Sequence, residues 1–329
     1  MLGYSTKSLK SKPVGVSMKT PSILKEFLKA EAQSLGFVAL GVADARPVPE
    51  EVREHYRHEV TTYGVGDMTY LLKNEDVRFD PARLLPGVKS IVVLAFNYYP
   101  PILQEKKVPQ IAYFAYGKDY HRVLKDKLYI LLEKLKHHCE EPFKARPFVD
   151  SAPLTERFWA REAGVGRLGR NGLIIVPHYG SFCFLSEILL TLHLPPDAPL
   201  IGSPCEGCSR CIKACPAHAI LADGSFEATR CISYQTIERK DTDETDPKTP
   251  THHIFGCDIC QQVCPHNQNL SPHKEENFLL NERLRTMNKE DWENLTPEEF
   301  DQLFEASPLQ RSGYKGILRN LKALEKKKQ

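Results

Sequence analysis

Eight of the ten cysteines in this 329-residue chain fall between Cys205 and Cys264. Thiolates bind soft metals and iron–sulfur clusters, so thiols gathered this tightly in so long a chain read as ligands rather than as a disulfide framework. The first run is Cys205-x2-Cys208-x2-Cys211-x3-Cys215, followed by Pro216. In that spacing three thiolates wind around one [4Fe–4S] cube, and a helix carries the fourth away to a second cube. The other run, Cys257-x2-Cys260-x3-Cys264-Pro265, is one cysteine short, and Cys231 is the one left in the region to complete it. The spacing therefore assigns Cys205, Cys208, Cys211 and Cys264 to one cluster, and Cys215, Cys231, Cys257 and Cys260 to the other. Crossed ligation makes the clusters neighbours, so electrons can pass between them. Two four-cysteine zinc sites would use the same eight residues. The x2-x2-x3 run and the two Cys-Pro endings speak for iron–sulfur instead. Cys139 and Cys183 stand apart, and Cys183, within Phe182-Cys183-Phe184-Leu185, reads as a small buried hydrophobe.

The elements that must position such clusters come earlier in the chain. Ser22 to Leu35 has the pattern of a capped amphipathic helix, and Gly36 to Val42 that of a buried strand. Ser90 to Phe96 is a second strand, and Tyr120 to His138 a helix with Leu124, Leu128, Leu131, Leu132 and Leu135 inward. Phe148-Val149 is a short strand, and Thr155 to Ala163 a helix. Leu173 to Val176 and Ser181 to Leu190 read as strands joined by a turn at His178-Tyr179-Gly180. This alternation predicts an α/β domain over 21–195. Pro195 to Pro199 reads as a linker, 196–272 as a ferredoxin-type two-cluster domain, and 273–329 as a C-terminal helical segment with a helix start at Thr296-Pro297-Glu298-Glu299. Residues 1–20 form an expected flexible extension, with Met18 a candidate start. The tail Lys326-Lys327-Lys328 reads as a solvated terminus. Gly164-Val165-Gly166-x-x-Gly169 has dinucleotide-site spacing but follows a helix, so that reading is rejected.

Hydrophobic residues make up 41% of the chain and charged residues 26%, and the net charge of +2 gives no bulk argument for a nucleic-acid partner. No apolar run reaches membrane-spanning length. Met1 to Lys19 lacks the apolar core of a signal peptide and a twin-arginine pair. A cytoplasmic protein is expected. Asp150, after a short strand and before a helix, has two readings. It either caps that helix or serves as an acid whose proton is retained by a partly apolar site.

Several segments, in order, resemble the epoxyqueuosine reductases: Arg78-Phe79-Asp80-Pro81, Leu85 to Ser90, Gly117-Lys118-Asp119-Tyr120-His121 and Val149 to Arg157. Asn171 to Ile174, Tyr179-Gly180-Ser181, Arg230 to Tyr234, Gly256 to Gln261 and Gly316-x-x-Arg319-Asn320 complete the series. The resemblance covers about residues 20 to 320. It implies a cobalamin-binding α/β domain, like that of reductive dehalogenases, joined to a ferredoxin-like domain. The activity implied is reduction of epoxyqueuosine to queuosine in the anticodon loop of tRNA, with cobalamin and two [4Fe–4S] clusters. It also implies that Asp150 donates the proton to the opening epoxide. Corrinoid contacts are implied at Arg78, Asp150, Ile174, Leu185, Ser233, Cys257 and Asp258, with the Cys257/Cys260 cluster as the last electron donor. No axial histidine is needed, so His121 is expected to be structural and Asp119 to cap the helix after it. Where the family often has Gly-Trp-Ile-Gly-Lys, this chain has Gly166-Arg167-Leu168-Gly169-Arg170, a changed pocket wall. The C-terminal helical repeats of some relatives are not expected here, which leaves Lys240, Arg311, Lys315 and Arg319 as candidate tRNA contacts. A monomer served by an unidentified electron donor is expected. The rival readings are another corrinoid reductase, such as a cytosolic reductive dehalogenase, and a two-cluster electron-transfer subunit. The Asp150 segment weighs against the first, and the long α/β domain against the second.

Overall fold

Five leucines along one side of a nineteen-residue helix set the layering. The computed structural model describes residues 20–240 and 252–325. The expected extension, apart from Thr20, and the lysine tail lie outside the described residues. In chain order come helix α1 (Pro21–Ser34), strand β1 (Ala39–Asp44), helix α2 (Glu50–Tyr63), single-turn helices α3 (Glu75–Arg78) and α4 (Pro81–Leu84), and strand β2 (Ser90–Asn97). Strand β3 (Gln110–Ile111), helix α5 (Tyr120–His138), strand β4 (Ala145–Phe148), helix α6 (Glu156–Glu162) and strands β5 (Arg167–Leu168), β6 (Ile174–Ile175) and β7 (Cys183–Leu190) follow. The cysteine region adds helix α7 (Arg210–Ala214), strand β8 (His253–Phe255) and helix α8 (Ile259–Gln262). Helices α9 (Glu282–Thr286), α10 (Lys289–Glu293), α11 (Pro297–Phe304) and α12 (Gly313–Glu325) come last.

The main sheet runs β1-β2-β7-β4 and is antiparallel at every pairing. Helices and strands alternate along the chain without building parallel β-α-β units. Strand β2 is buried along its whole length because helices cover both faces. Val92, Leu94 and Phe96 meet α1 and the α5 leucines, each leucine worth about 1.5–3 kcal/mol of burial. Ile91, Val93 and Ala95 meet Trp159 and Ala160 of α6. Strands β6 and β7 do flank the expected turn, closed by a bridge between Val176 and Gly180, but they belong to different sheets.

The expected linker at Pro195 to Pro199 is pinned down. Asp197 exchanges backbone and side-chain hydrogen bonds with Val42 on β1, and its carboxylate meets Lys25 at 2.8 Å. An edge strand leaves backbone groups unpaired, and Asp197 supplies partners for them. Further on, β3 pairs in parallel with β8, drawing the end of the cysteine region onto the first half of the chain. Around that pair, Trp292, Phe300, Phe304, Ile317 and Leu321 of the last helices share a core with Ile111 and Tyr116. Thr296 starts α11 with a reciprocal capping box to Glu299, as its sequence predicts. Among the described residues no helix is long and apolar enough to cross a membrane.

Candidate active site

Asp119 caps α5 by accepting the His121 N–H at 3.0 Å. The first two residues of that helix, Tyr120 and His121, are thereby aimed at Asp150. The Tyr120 hydroxyl donates to Asp150 Oδ2 at 2.7 Å, with its ring stacked on Phe184 at 4.2 Å. His121 bridges two carboxylates, with Nδ1 2.7 Å from Asp119 Oδ1 and Nε2 3.7 Å from Asp150 Oδ2. Asp150 does not cap α6, since Thr155 holds the N-cap position. Its backbone is left-handed (φ 45°), a strain of about 1–3 kcal/mol for a residue with a side chain. Its N–H donates to the carboxylate of Glu156, the first residue of α6, at 3.0 Å.

The charges differ from the sequence expectation. Burial presses the Asp150 carboxyl upward, but His121 and Tyr120 outweigh it and hold the group below the usual aspartate range. Asp150 is therefore a carboxylate, not a carboxyl keeping its own proton. His121, expected to be structural, is part of the site. Desolvation opposes its charge, yet Asp119 and Asp150 raise it to about 9. Behind Asp150, burial and then the charge of Asp150 raise Glu156 to about 8. Glu187 lies deeper, on β7 between Val93 and Phe148. Its side chain is fully buried, and burial, then Glu156 and Asp150, push its carboxyl far up. Neither Glu187 oxygen closes a hydrogen bond of ordinary geometry among the described residues, although Glu156 stands near enough to act on it. An unpaired buried carboxylate costs several kcal/mol, so Glu187 rests in its neutral form.

The remaining walls come from distant parts of the chain. Tyr70, before α3, feels Glu238, Arg311, Asp150 and Arg78. Arg311 grips Glu238 through two hydrogen bonds of 2.7 and 2.8 Å, and its charge reaches Asp150. Lys240 and Lys315 are exposed. Arg319 is a correction to the expected tRNA surface: its guanidinium donates to the Arg239 and Gln235 carbonyls and to Asn320. It ties the last helix to the cysteine region and has little left for a phosphate. Arg78 is buried over the Tyr56 ring, with Nη2 on the Tyr70 carbonyl and Nε without a partner. Ile174 is buried and Leu185 half-buried. Ser233 lies between Cys231 and a π-turn over Tyr234–Glu238, and π-turns often mark functional sites. The Asp258 carboxyl turns inward, accepting from Tyr113 N–H at 2.7 Å and Gln261 at 3.1 Å, and burial raises it to about 7.

The cysteines fall into two groups. Cys205 and Cys264 pack with Ile175, and Cys211 and Cys208 lie within electrostatic reach of them. Cys215, Cys231, Cys257 and Cys260 interact with one another in the same way. Burial raises the thiols of Cys211, Cys231, Cys257, Cys260 and Cys264, Cys257 to about 12. Thiols so reluctant to ionise alone give up their protons when a cationic metal centre takes the protons' place. Among the described residues no three His, Cys, Asp or Glu side chains close around a single metal ion. Gly256, at φ 68°, precedes Cys257 where a side chain would come within 2.5 Å of the Ala112 Cβ, so β3 passes directly over the ligand loop. Tyr98 senses Asp258, Cys183 and Cys260 together, joining the second group to the start of β7. A half-open cleft lined by Arg167, His178 and His266 lies beside the first group, sharing Ile175 with it.

The sequence and fold match proteins already characterised. A family model described as "Epoxyqueuosine reductase QueG, DUF1730" matches residues 78–151, and one described as a "4Fe-4S double cluster binding domain" matches residues 204–267. The epoxyqueuosine reductase of Cyclobacterium marinum is 42% identical over 299 residues, which are 90% of this chain and 95% of that protein. The chain belongs to the epoxyqueuosine reductase family. It is thus an oxidoreductase with a double-cluster 4Fe-4S domain. A crystal structure of epoxyqueuosine reductase with an epoxyqueuosine-modified tRNA-Tyr stem loop superposes with a TM-score of 0.79 at 29% identity, covering 92% of this chain and 80% of that one. A Bacillus subtilis epoxyqueuosine reductase, with its aspartate catalytic loop swung out of the active site, gives 0.79 at 28% identity with the same coverage.

Sequence reasoning missed Tyr120 and His121 as site residues, and Glu156, Glu187 and Tyr70 altogether. The one legible signal was Glu187, a charged residue inside the apolar run Phe182 to Leu190.

Proposed function

We propose that this protein reduces epoxyqueuosine to queuosine in tRNA, using cobalamin and two [4Fe–4S] clusters. The carrying observation is the convergence of Tyr120, His121 and Glu156 on the strained Asp150, beside a two-group thiol framework. Cys205, Cys208, Cys211 and Cys264 would hold one cluster, and Cys215, Cys231, Cys257 and Cys260 the other. The orphaned Nε of buried Arg78 suits a polar group of a large cofactor, and Ile174, Leu185, Ser233, Cys257 and Asp258 supply the rest of its bed. Asp258 would act there through its backbone, since its carboxyl is spent inward. Cobalamin and the clusters, when bound there, would supply the two low-potential electrons that the epoxide needs.

Asp150 meets the epoxide oxygen. An opening epoxide leaves an alkoxide, which departs only when protonated, and a positioned acid is worth about 10²- to 10⁴-fold. His121, charged at neutral pH, brings a proton to that carboxylate, and Tyr120 fixes its orientation. The aspartate loop that swings in the Bacillus subtilis relative supports a mobile Asp150, and its left-handed backbone makes such a movement inexpensive. Exposed Lys240 and Lys315, with Arg311, offer charge to the tRNA backbone. A monomer acting in the cytoplasm with a separate electron donor fits this reading. The division at 21–195, 196–272 and 273–329 is kept as its domain scheme.

The test is reconstituted protein, cobalamin, a strong reductant and tRNA carrying epoxyqueuosine, with nucleosides read by mass. Queuosine formed only when cobalamin is present supports the reading. Epoxyqueuosine left intact by protein with full clusters overturns it. The rival corrinoid reductase and electron-transfer subunit have no comparable support, and the full-length relatives named above are epoxyqueuosine reductases.

A further inference from the structure

We propose that Glu156 and Glu187 form a proton store behind Asp150, which feeds the reaction's second proton through Asp150 to the departing oxygen. This rests on the reading of the protein as an epoxide reductase. Converting an epoxide to an alkene breaks two C–O bonds, forms one C=C bond and releases the oxygen as water. It consumes two electrons, supplied by the cofactors already proposed, and two protons. One proton opens the ring and the other lets the hydroxyl leave. Asp150 carries one proton at a time; His121 supplies the first, and an epoxide bound over Asp150 would shut out the solvent needed for another.

The geometry behind Asp150 answers this need. Glu187 occupies a sheet position flanked by Val93 and Phe148, where an aliphatic residue would pack without penalty. Instead a carboxyl sits there fully buried, without a closed hydrogen bond, facing Glu156 and Asp150. Glu156 links the two, since it accepts the Asp150 N–H and lies within reach of the Glu187 carboxyl. Arg157 is the other charge facing Glu156; Tyr120, His121 and Arg311 face Asp150. The row runs from β7 through the start of α6 to the loop after β4. With both glutamates raised, Glu156 to about 8, the pair is protonated at neutral pH while Asp150 is not. The proton therefore starts at the buried end, and the acceptor stands at the open end. Because Glu156 and Glu187 touch no substrate, they are positioning residues.

Two measurements test the store on the cluster-loaded protein. Infrared titration of wild-type protein made with ¹³C-labelled glutamate should show protonated glutamate carboxyls at pH 7, one of them lost near pH 8. This arm needs no variant to fold. Glu156→Gln and Glu187→Gln should each remove one band. In turnover, wild-type kcat/KM should show a basic limb near pH 8, and both variants should keep clusters and tRNA affinity, lose about tenfold or more in kcat, and lose that limb. Glutamates ionised at pH 7, or variants with the wild-type rate and pH profile, overturn the store alone. Wild-type protein inert toward the epoxide overturns the functional reading, and the store's role with it.

Discussion

Two regions of this molecule crowd acid-forming side chains into buried space, and they resolve the crowding differently. Around the ligand loops eight thiols lie in two groups, and burial makes poor acids of Cys211, Cys231, Cys257, Cys260 and Cys264. Around Asp150 three carboxyls lie in a row, and burial raises the inner two while His121 and Tyr120 lower the outer one. Thiols at cluster spacing await cationic iron, which displaces every proton. Carboxyls in a graded row keep their protons and sort them by depth. The first arrangement moves electrons and the second moves protons, and reduction of an epoxide needs both.

The comparison breaks most completely at a cluster ligand. Cys260→Ser should lower iron from about eight atoms to about four and abolish turnover. Retention of full iron content would contradict the grouping of Cys260 with Cys215, Cys231 and Cys257. His121→Gln acts on the proton side alone. Iron content should be unchanged, while turnover falls about tenfold to a hundredfold, a charged donor beside Asp150 having been removed. Equal loss of iron and activity would mean that the two regions are not separable.

A smaller effect lies in stability. The His121 pKa is raised in the folded protein, so its ion pairs stabilise fully below the unfolded value of about 6.5. That contribution fades as pH rises through about 9. Melting temperatures of wild type and His121→Gln should therefore differ most near pH 6 and converge above pH 9. A gap that persists at high pH would point to lost packing instead. The smallest effect is expected at Arg311, whose exposed pair with Glu238 is worth at most about 1 kcal/mol. Arg311→Ala should leave the fold intact and reduce the salt dependence of tRNA binding by about one unit of slope. An unchanged slope would remove Arg311 from the tRNA surface.

Legibility in the sequence followed the range of the interactions. Cysteine spacing is local, so a division into two thiol groups could be proposed from Cys205 to Cys264 without a structure. Helix α5 was legible because its leucines repeat at helical spacing, and α11 because its cap is a four-residue signal. Helix α2 buries no residue and left no pattern to find. The carboxyl row was illegible for a different reason. Asp150, Glu156 and Glu187 are joined by sheet register and by a loop with left-handed backbone, neither of which is written in residue type. His121 likewise looked structural because its contact with Asp150 is remote in sequence. That the expected linker is held fast was not legible, because Asp197 finds its partners on β1, far away in sequence.

Asp150→Asn tests the account at its centre. Asparagine keeps the volume and the hydrogen bond from Tyr120 but cannot carry a transferable proton. With clusters and cobalamin loaded and tRNA binding verified, single-turnover reduction of epoxyqueuosine should slow by about 10²- to 10⁴-fold. A rate near that of wild type, with all cofactors in place, would take Asp150 out of the chemistry and leave the residues gathered around it without a catalytic purpose.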